Sequence, residues 1–155
     1  METLPSRKQL KHTPPFRADG AFYFVTICAA ERGGCELADN AAAILAAARH
    51  YHLTGKWFVA LCLVMPDHIH MLVHVPPDRN LADTITAWKH YLSHTHGLSF
   101  QRDFFDTRIR DDAHFAEKLN YIVSNPVERG LVKTPREWPH SIAFDRTTGE
   151  ERAHR

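Results

Sequence analysis

WFVALCLV-MPD-HIHMLVHV, residues 57–75, decides the fold. Residues 57–64 are apolar and β-branched on both faces, as in a strand buried on both sides. Met65-Pro66-Asp67 is too short to be anything but a turn. Residues 68–75 then alternate with the period of a strand, so His68, His70, Leu72 and His74 share one face. Ile69, Met71, Val73 and Val75 share the other and can pack on helices. A three-residue connection forces the two strands into an antiparallel hairpin. The pattern therefore sets two histidines on one strand face, roughly 7 Å apart along the backbone.

Working outward, residues 21–28 (AFYFVTIC) form another buried strand, and Gly33-Gly34 mark a turn. Asp39 is placed to cap an alanine-rich helix over 40–53, with Gly55 after its end. Pro76-Pro77 end the hairpin. A second helix spans 81–96 on the stripe Leu81, Ile85, Trp88 and Leu92, and Gly97 sits at its C-terminal cap. Residues 104–110 (FFDTRIR) suggest a fourth strand. Asp111 or Asp112 caps a third helix carrying Phe115, Leu119 and Ile122. The order β-α-β-β-α-β-α predicts an α+β, ferredoxin-like antiparallel sheet with helices packed on it. Residues 1–19 form a basic arm (Arg7, Lys8, Lys11, Arg17), 20–145 one folded domain, and 146–155 a charged, mobile tail.

The chain has 155 residues, 44% hydrophobic and 24% charged, with a net charge of +1. That composition suits one globular domain, and the near-zero charge leaves only a local groove for polyanions. No apolar run approaches the roughly 18 residues of a membrane span. Cys28, Cys35 and Cys62 are odd in number and lack CxxC spacing, which points to reduced, buried thiols and a cytoplasmic protein.

His68 and His70 can converge on one metal ion. Tyr121 and Asn125, four residues apart, share one face of the third helix beside its apolar stripe. MPDHIHMLV followed some fifty residues later by YIVSNPVERGLV resembles the HUH-type single-tyrosine transposases of the IS200-like group. Among them it is most similar to the REP-associated tyrosine transposases. The likeness extends to FYFVTIC, FFDTRIRDD and PREWPHSIAF, spanning roughly residues 6–144.

The resemblance implies that His68 and His70 bind a divalent metal, that Asn125 completes the site, and that Tyr121 is the nucleophile. Asp67 would shape the turn, and His74 stands outside the site. A phenol of pKa near 10 costs roughly 4 kcal/mol to ionise at neutral pH. A metal that polarises the scissile phosphate offsets much of this. Imidazoles tilt intrinsic affinity towards Mn²⁺, while supply favours Mg²⁺. Attack would nick one DNA strand, leaving a 5′-phosphotyrosine and a free 3′-hydroxyl that can rejoin strands without ATP.

The substrate implied is single-stranded or hairpin DNA from palindromic repeats, handled by a monomer rather than a homodimer, with no membrane partner. Arg108, Arg110, Arg129 and Lys133 join the arm residues Arg7, Lys8 and Lys11 as phosphate contacts. Trp88 and Trp138 are read as core rather than base-stacking residues, and Tyr23, Tyr51 and Tyr91 as packing. Hydrolase readings fall away. A cupin would be all β, a histidine-triad hydrolase would need histidine where Leu72 stands, and a TIM barrel needs about 250 residues. The alternative is a domesticated hairpin-DNA-binding protein without transposition activity.

Overall fold

The computed structural model describes residues 21–153; the whole basic arm, with Arg7, Lys8, Lys11 and Arg17, lies outside them. Among the described residues the strands are β1 (Phe22–Cys28), β2 (Phe58–Val64), β3 (His68–His74), β4 (Phe105–Arg108) and β5 (Ser141–Ala143). They form one antiparallel sheet in the order β4-β1-β3-β2-β5. The first four strands and the helices between them reproduce the expected ferredoxin-like arrangement. β5, three residues long and too short to show alternation in sequence, adds an unforeseen edge beside β2.

Alternation along β3 sorts the core into two layers. Ile69, Met71 and Val73 pack with Ile44 and Ala48 of helix α2 (Ala41–Leu53) and with Ile85, Trp88 and Leu92 of helix α3 (Leu81–His96). Leu72 faces the other way, into a layer with Phe22, Phe115 and Ile122, the last two from helix α4 (Asp112–Glu128). β3 is thus buried along its whole length and paired on both edges, by β1 and by β2. A bulge at Ala60, between Val59 and Leu61, lets β2 follow β3 without turning its apolar set to the wrong layer.

Most helix boundaries follow the expected chemistry. Asn80 accepts the Asp83 N–H to start α3, and Gly97 ends it with φ +71°, a conformation costly for a residue bearing a Cβ. Asp111 caps α4 through the His114 N–H at 2.8 Å.

Two expectations are corrected. Asp39 does not cap α2; it ends a separate turn, α1 (Glu36–Asp39), held in place by buried Leu37, and Asn40 joins the two. α4 runs on past Asn125 and through Pro126 to Glu128. So near the end of a helix, a missing proline N–H removes one bond without breaking the element. The charged stretch 146–155 is not a loose tail over its described part. The Asp145 carboxylate accepts the Thr147 and Thr148 N–H groups, and the Arg49 guanidinium grips the Glu151 carboxylate at 3.0 and 2.9 Å. The Arg146 guanidinium lies 3.8 Å from the Phe115 ring centre.

Candidate functional site

The two histidines occupy the most rigid place the fold offers, the central strand β3 under α4. Both are buried, and their ring centres are 4.7 Å apart. Each is fixed from behind. The His68 Nδ1–H donates to Asp67 Oδ1 at 2.8 Å. A carboxylate only accepts, so the proton sits on Nδ1 and the Nε2 lone pair is left for a ligand. His70 Nδ1 bonds the Thr26 hydroxyl of β1 at 3.0 Å. A hydroxyl can give or take this bond, and in the tautomer whose Nδ1 donates, Nε2 again carries the lone pair.

Asp67 does more than shape the turn. Its second oxygen accepts from Arg32 Nε and from the Gly33 backbone N–H, both at 2.8 Å. Burial opposes its charge, but the bonds from Arg32, Gly33 and His68 outweigh that and hold the carboxyl well below its ordinary range. The result is an ionised partner locked behind His68. Burial lowers the His68 pKa, and Asp67 only partly opposes this. Burial, then the neighbouring His68 and Arg129, pushes His70 down to about 3. Both imidazoles are therefore neutral near pH 7, the form that binds a metal.

The third element is α4. Phe115 and Ile122 bury its underside, which leaves Tyr121 on the flank facing the histidine strand. The Tyr121 ring centre is 5.6 Å from that of His70 and 5.8 Å from that of Phe24. Phe24 in turn stacks on His70 at 5.5 Å. Tyr121 is 50% exposed, so its phenol is packed on one side and open to an incoming group on the other. One turn on, Asn125 is buried, and a further turn brings Arg129, whose charge acts on both histidines. Asn125 thus lies between two residues of α4 that both reach the histidine pair.

His70 Nε2 and Asn125 Oδ1 are buried atoms without a hydrogen-bond partner. Such orphans are costly inside a protein and call for an occupant. Two imidazole nitrogens and an amide oxygen fit a divalent cation. Among the described residues no three His, Cys, Asp or Glu side chains gather elsewhere as a rival centre.

The predicted phosphate contacts separate. Arg129, Arg110 and Lys133 are exposed, Arg129 beside the histidines, Arg110 at the entry to α4, and Lys133 in the loop beyond it. Arg108 is not with them. Its register partner in β1 is Tyr23, on the face away from the histidines, and its guanidinium lies 5.9 Å from the Tyr23 ring centre. Arg7, Lys8 and Lys11 lie outside the described residues. Trp88 and Trp138 are buried, as expected. Tyr23 and Tyr51 pack as expected, but Tyr91 is largely exposed and lies against His96.

Sequence reasoning missed Thr26, Arg32, Phe24 and Lys118. The Lys118 ammonium stands 5.1 Å from the Phe24 ring centre, one turn before Tyr121 on α4. Its i, i+3 spacing from Tyr121 was a readable signal; the parts played by Thr26 and Arg32 depend on pairings no local pattern reveals.

No protein-family model matches the chain. A Haemophilus influenzae protein assigned by name to the REP-associated tyrosine transposases is 32% identical over 143 residues, covering 79% of each chain. The REP-associated tyrosine transposase of Escherichia coli K12 is 30% identical over 82 residues, about half of each chain. A solved structure of a REP-associated tyrosine transposase bound to a REP hairpin superposes with a TM-score of 0.72 at 25% identity, covering 79% of this chain and 76% of that one.

Proposed function

Because the chain belongs to the REP-associated tyrosine transposases, we propose that Tyr121 is its nucleophile and that the chain nicks and rejoins one strand of REP-like hairpin DNA. The observation that carries this reading is the phenol ring 5.6 Å from His70, beside the orphaned His70 Nε2 and Asn125 Oδ1.

His68, His70 and Asn125 would hold a divalent ion, Mg²⁺ or Mn²⁺. Bound there, it would polarise a phosphoryl oxygen of the scissile link. The remaining work falls to the chain's own groups. Asp67 holds His68 in one tautomer, and Asp67 and Thr26 fix the orientation of the two imidazoles. Phe24 and the underside of α4 hold the phenol in place and leave its hydroxyl end open to the strand. The Tyr121 oxygen bonds to phosphorus as its proton leaves, and the bond from phosphorus to the 3′-oxygen breaks. That oxygen takes up a proton, giving a 5′-phosphotyrosine and a 3′-hydroxyl. A second 3′-hydroxyl reverses the step on another end. Arg129, Arg110 and Lys133 would steer the backbone into the site. Tyr121 stands beside the histidines of its own chain, which supports a monomer complete in itself.

The test is incubation of the protein with a labelled single-stranded REP hairpin and Mg²⁺ or Mn²⁺. A denaturant-stable protein–DNA adduct is expected, absent in Tyr121→Phe, while hairpin affinity in EDTA is retained by both. An adduct that survives Tyr121→Phe overturns the assignment. Binding without any adduct in the unmodified protein replaces it with a hairpin binder that does not cut.

A further inference from the structure

Phe104 precedes the edge strand β4 and Phe105 opens it, and the fold treats the two oppositely. Phe104 packs against the layer under α2 and α3. Phe105, one residue on and therefore on the other face, is 68% exposed. Its position is fixed by pairing. Phe105 lies opposite Thr26 of β1, and Thr26 lies opposite His70 of β3, so the three form one row across the sheet. Strands are about 4.8 Å apart, which sets the Phe105 backbone roughly 10 Å from that of His70. The histidine row thus ends, two strands away, in a bare aromatic ring on the same face as Tyr121.

The ring stands on a firm base. The Lys89 ammonium of α3 donates to the backbone carbonyls of Gln101 and Arg102, both at 2.9 Å, and the Gln101 N–H bonds Cys28 O. With Phe104 half-buried behind it, the approach to β4 is clamped. The packed underside of α4 meets Phe22 and Leu72 rather than the Phe105 end of the row. Phe24, the neighbouring aromatic of β1, already has a partner in Tyr121. Phe105 is left as an apolar face beside the phosphate path.

We propose that Phe105 is a stacking platform for an unpaired base of the DNA strand being cut, close to the scissile phosphate. This rests on the covalent reading above only for the strand's presence at the site. A strand whose phosphate reaches the Tyr121 hydroxyl must cross the open sheet face, and the bare ring on that face in the His70 row is Phe105. Stacking would hold the flanking nucleotide without reading its identity, since every base has a π-face. It would also separate two tasks: basic side chains grip the stem, and Phe105 sets which unpaired nucleotide arrives.

The experiment compares a REP hairpin bearing unpaired extensions at both ends with the same hairpin trimmed flush. Affinities of the full chain, Phe105→Ala and Phe105→Trp are measured by anisotropy in EDTA. Phe105→Ala is expected to weaken binding of the extended hairpin about 5- to 150-fold, to leave the trimmed hairpin unchanged, and to be rescued by Phe105→Trp. An abasic site at one extension position should reproduce the loss in the unmodified protein and add nothing in Phe105→Ala. Equal affinities for all three proteins, equal losses on both hairpins, or no coupled position overturns the proposal. An intact Phe105 effect without any Tyr121 adduct would sink only the covalent reading.

Discussion

Asp67→Asn removes the charge behind His68 while leaving the shape of the turn nearly unchanged. Asp67 now accepts three donors, His68 Nδ1, Arg32 Nε and the Gly33 N–H, each at 2.8 Å. An asparagine has one accepting oxygen and would point its own N–H groups at donors. A hydrogen bond to an ionised group is worth about 1.5–3 kcal/mol. Partners behind metal-binding histidines typically carry about 10- to 100-fold of affinity, or roughly 1.4–2.7 kcal/mol. The two figures agree, so Mn²⁺ affinity should fall about 10- to 100-fold. Folding should survive, because the Arg32 side chain is 46% exposed and its pair with Asp67 contributes less than about 1 kcal/mol. Isothermal titration of Mn²⁺ gives the affinity, thermal melting controls for folding, and hairpin binding in EDTA should not move. Adduct formation should recover at saturating Mn²⁺. An unchanged Mn²⁺ affinity in a folded Asp67→Asn protein would refute this and return Asp67 to a turn-shaping role.

Two further outcomes are expected. Lys118→Gln should slow adduct formation by about 10-fold or more at unchanged hairpin affinity, because its ammonium stands over Phe24 at the mouth beside Tyr121; single-turnover rates check it, and an unaltered rate excludes a role in the chemistry. The metal-free protein should lose stability as the pH falls below about 6.5, where an unfolded histidine takes up a proton that native His70, with its pKa near 3, refuses. That residue alone contributes up to about 1.4 kcal/mol per pH unit, so urea titrations of His70→Gln in EDTA should show a shallower slope.

That His68 and His70 share a strand face, and Tyr121 and Asn125 a helix face, was legible from one local period each, two for a strand and near four for a helix; the roles expected of them came from the resemblance of their motifs. What escaped depends on pairing between distant segments. Arg32 and Gly33 reach Asp67 across more than thirty residues of sequence. Arg108 was misplaced for a related reason. A strand of four residues alternates whatever its register, and a slip of one residue turns every side chain to the other face. Only the pairing of Arg108 with Tyr23 decides that it faces away, and the same pairing turns Phe105 towards the site. The folded-back segment after Asp145 was hidden by its composition, because charged residues look alike whether solvated or paired as Arg49 and Glu151 are.

The ligand set proposed for this site is electrically neutral, and that shapes how it would work. Two neutral imidazoles and an amide leave a divalent ion its full charge to act on phosphate. The Asp67 carboxylate bonds the far side of the His68 ring and accepts three donors, so it would steady His68 without quenching the ion. A site of this kind holds its ion weakly until an anionic oxygen joins the shell, and the scissile phosphate would be that oxygen. Metal and DNA then favour each other's binding by the same factor. Such a coupling would also reconcile a polyanionic substrate with a chain whose net charge is only +1. The attraction need not be spread over the surface, because much of it would arise where the phosphate meets the ion, beside Tyr121.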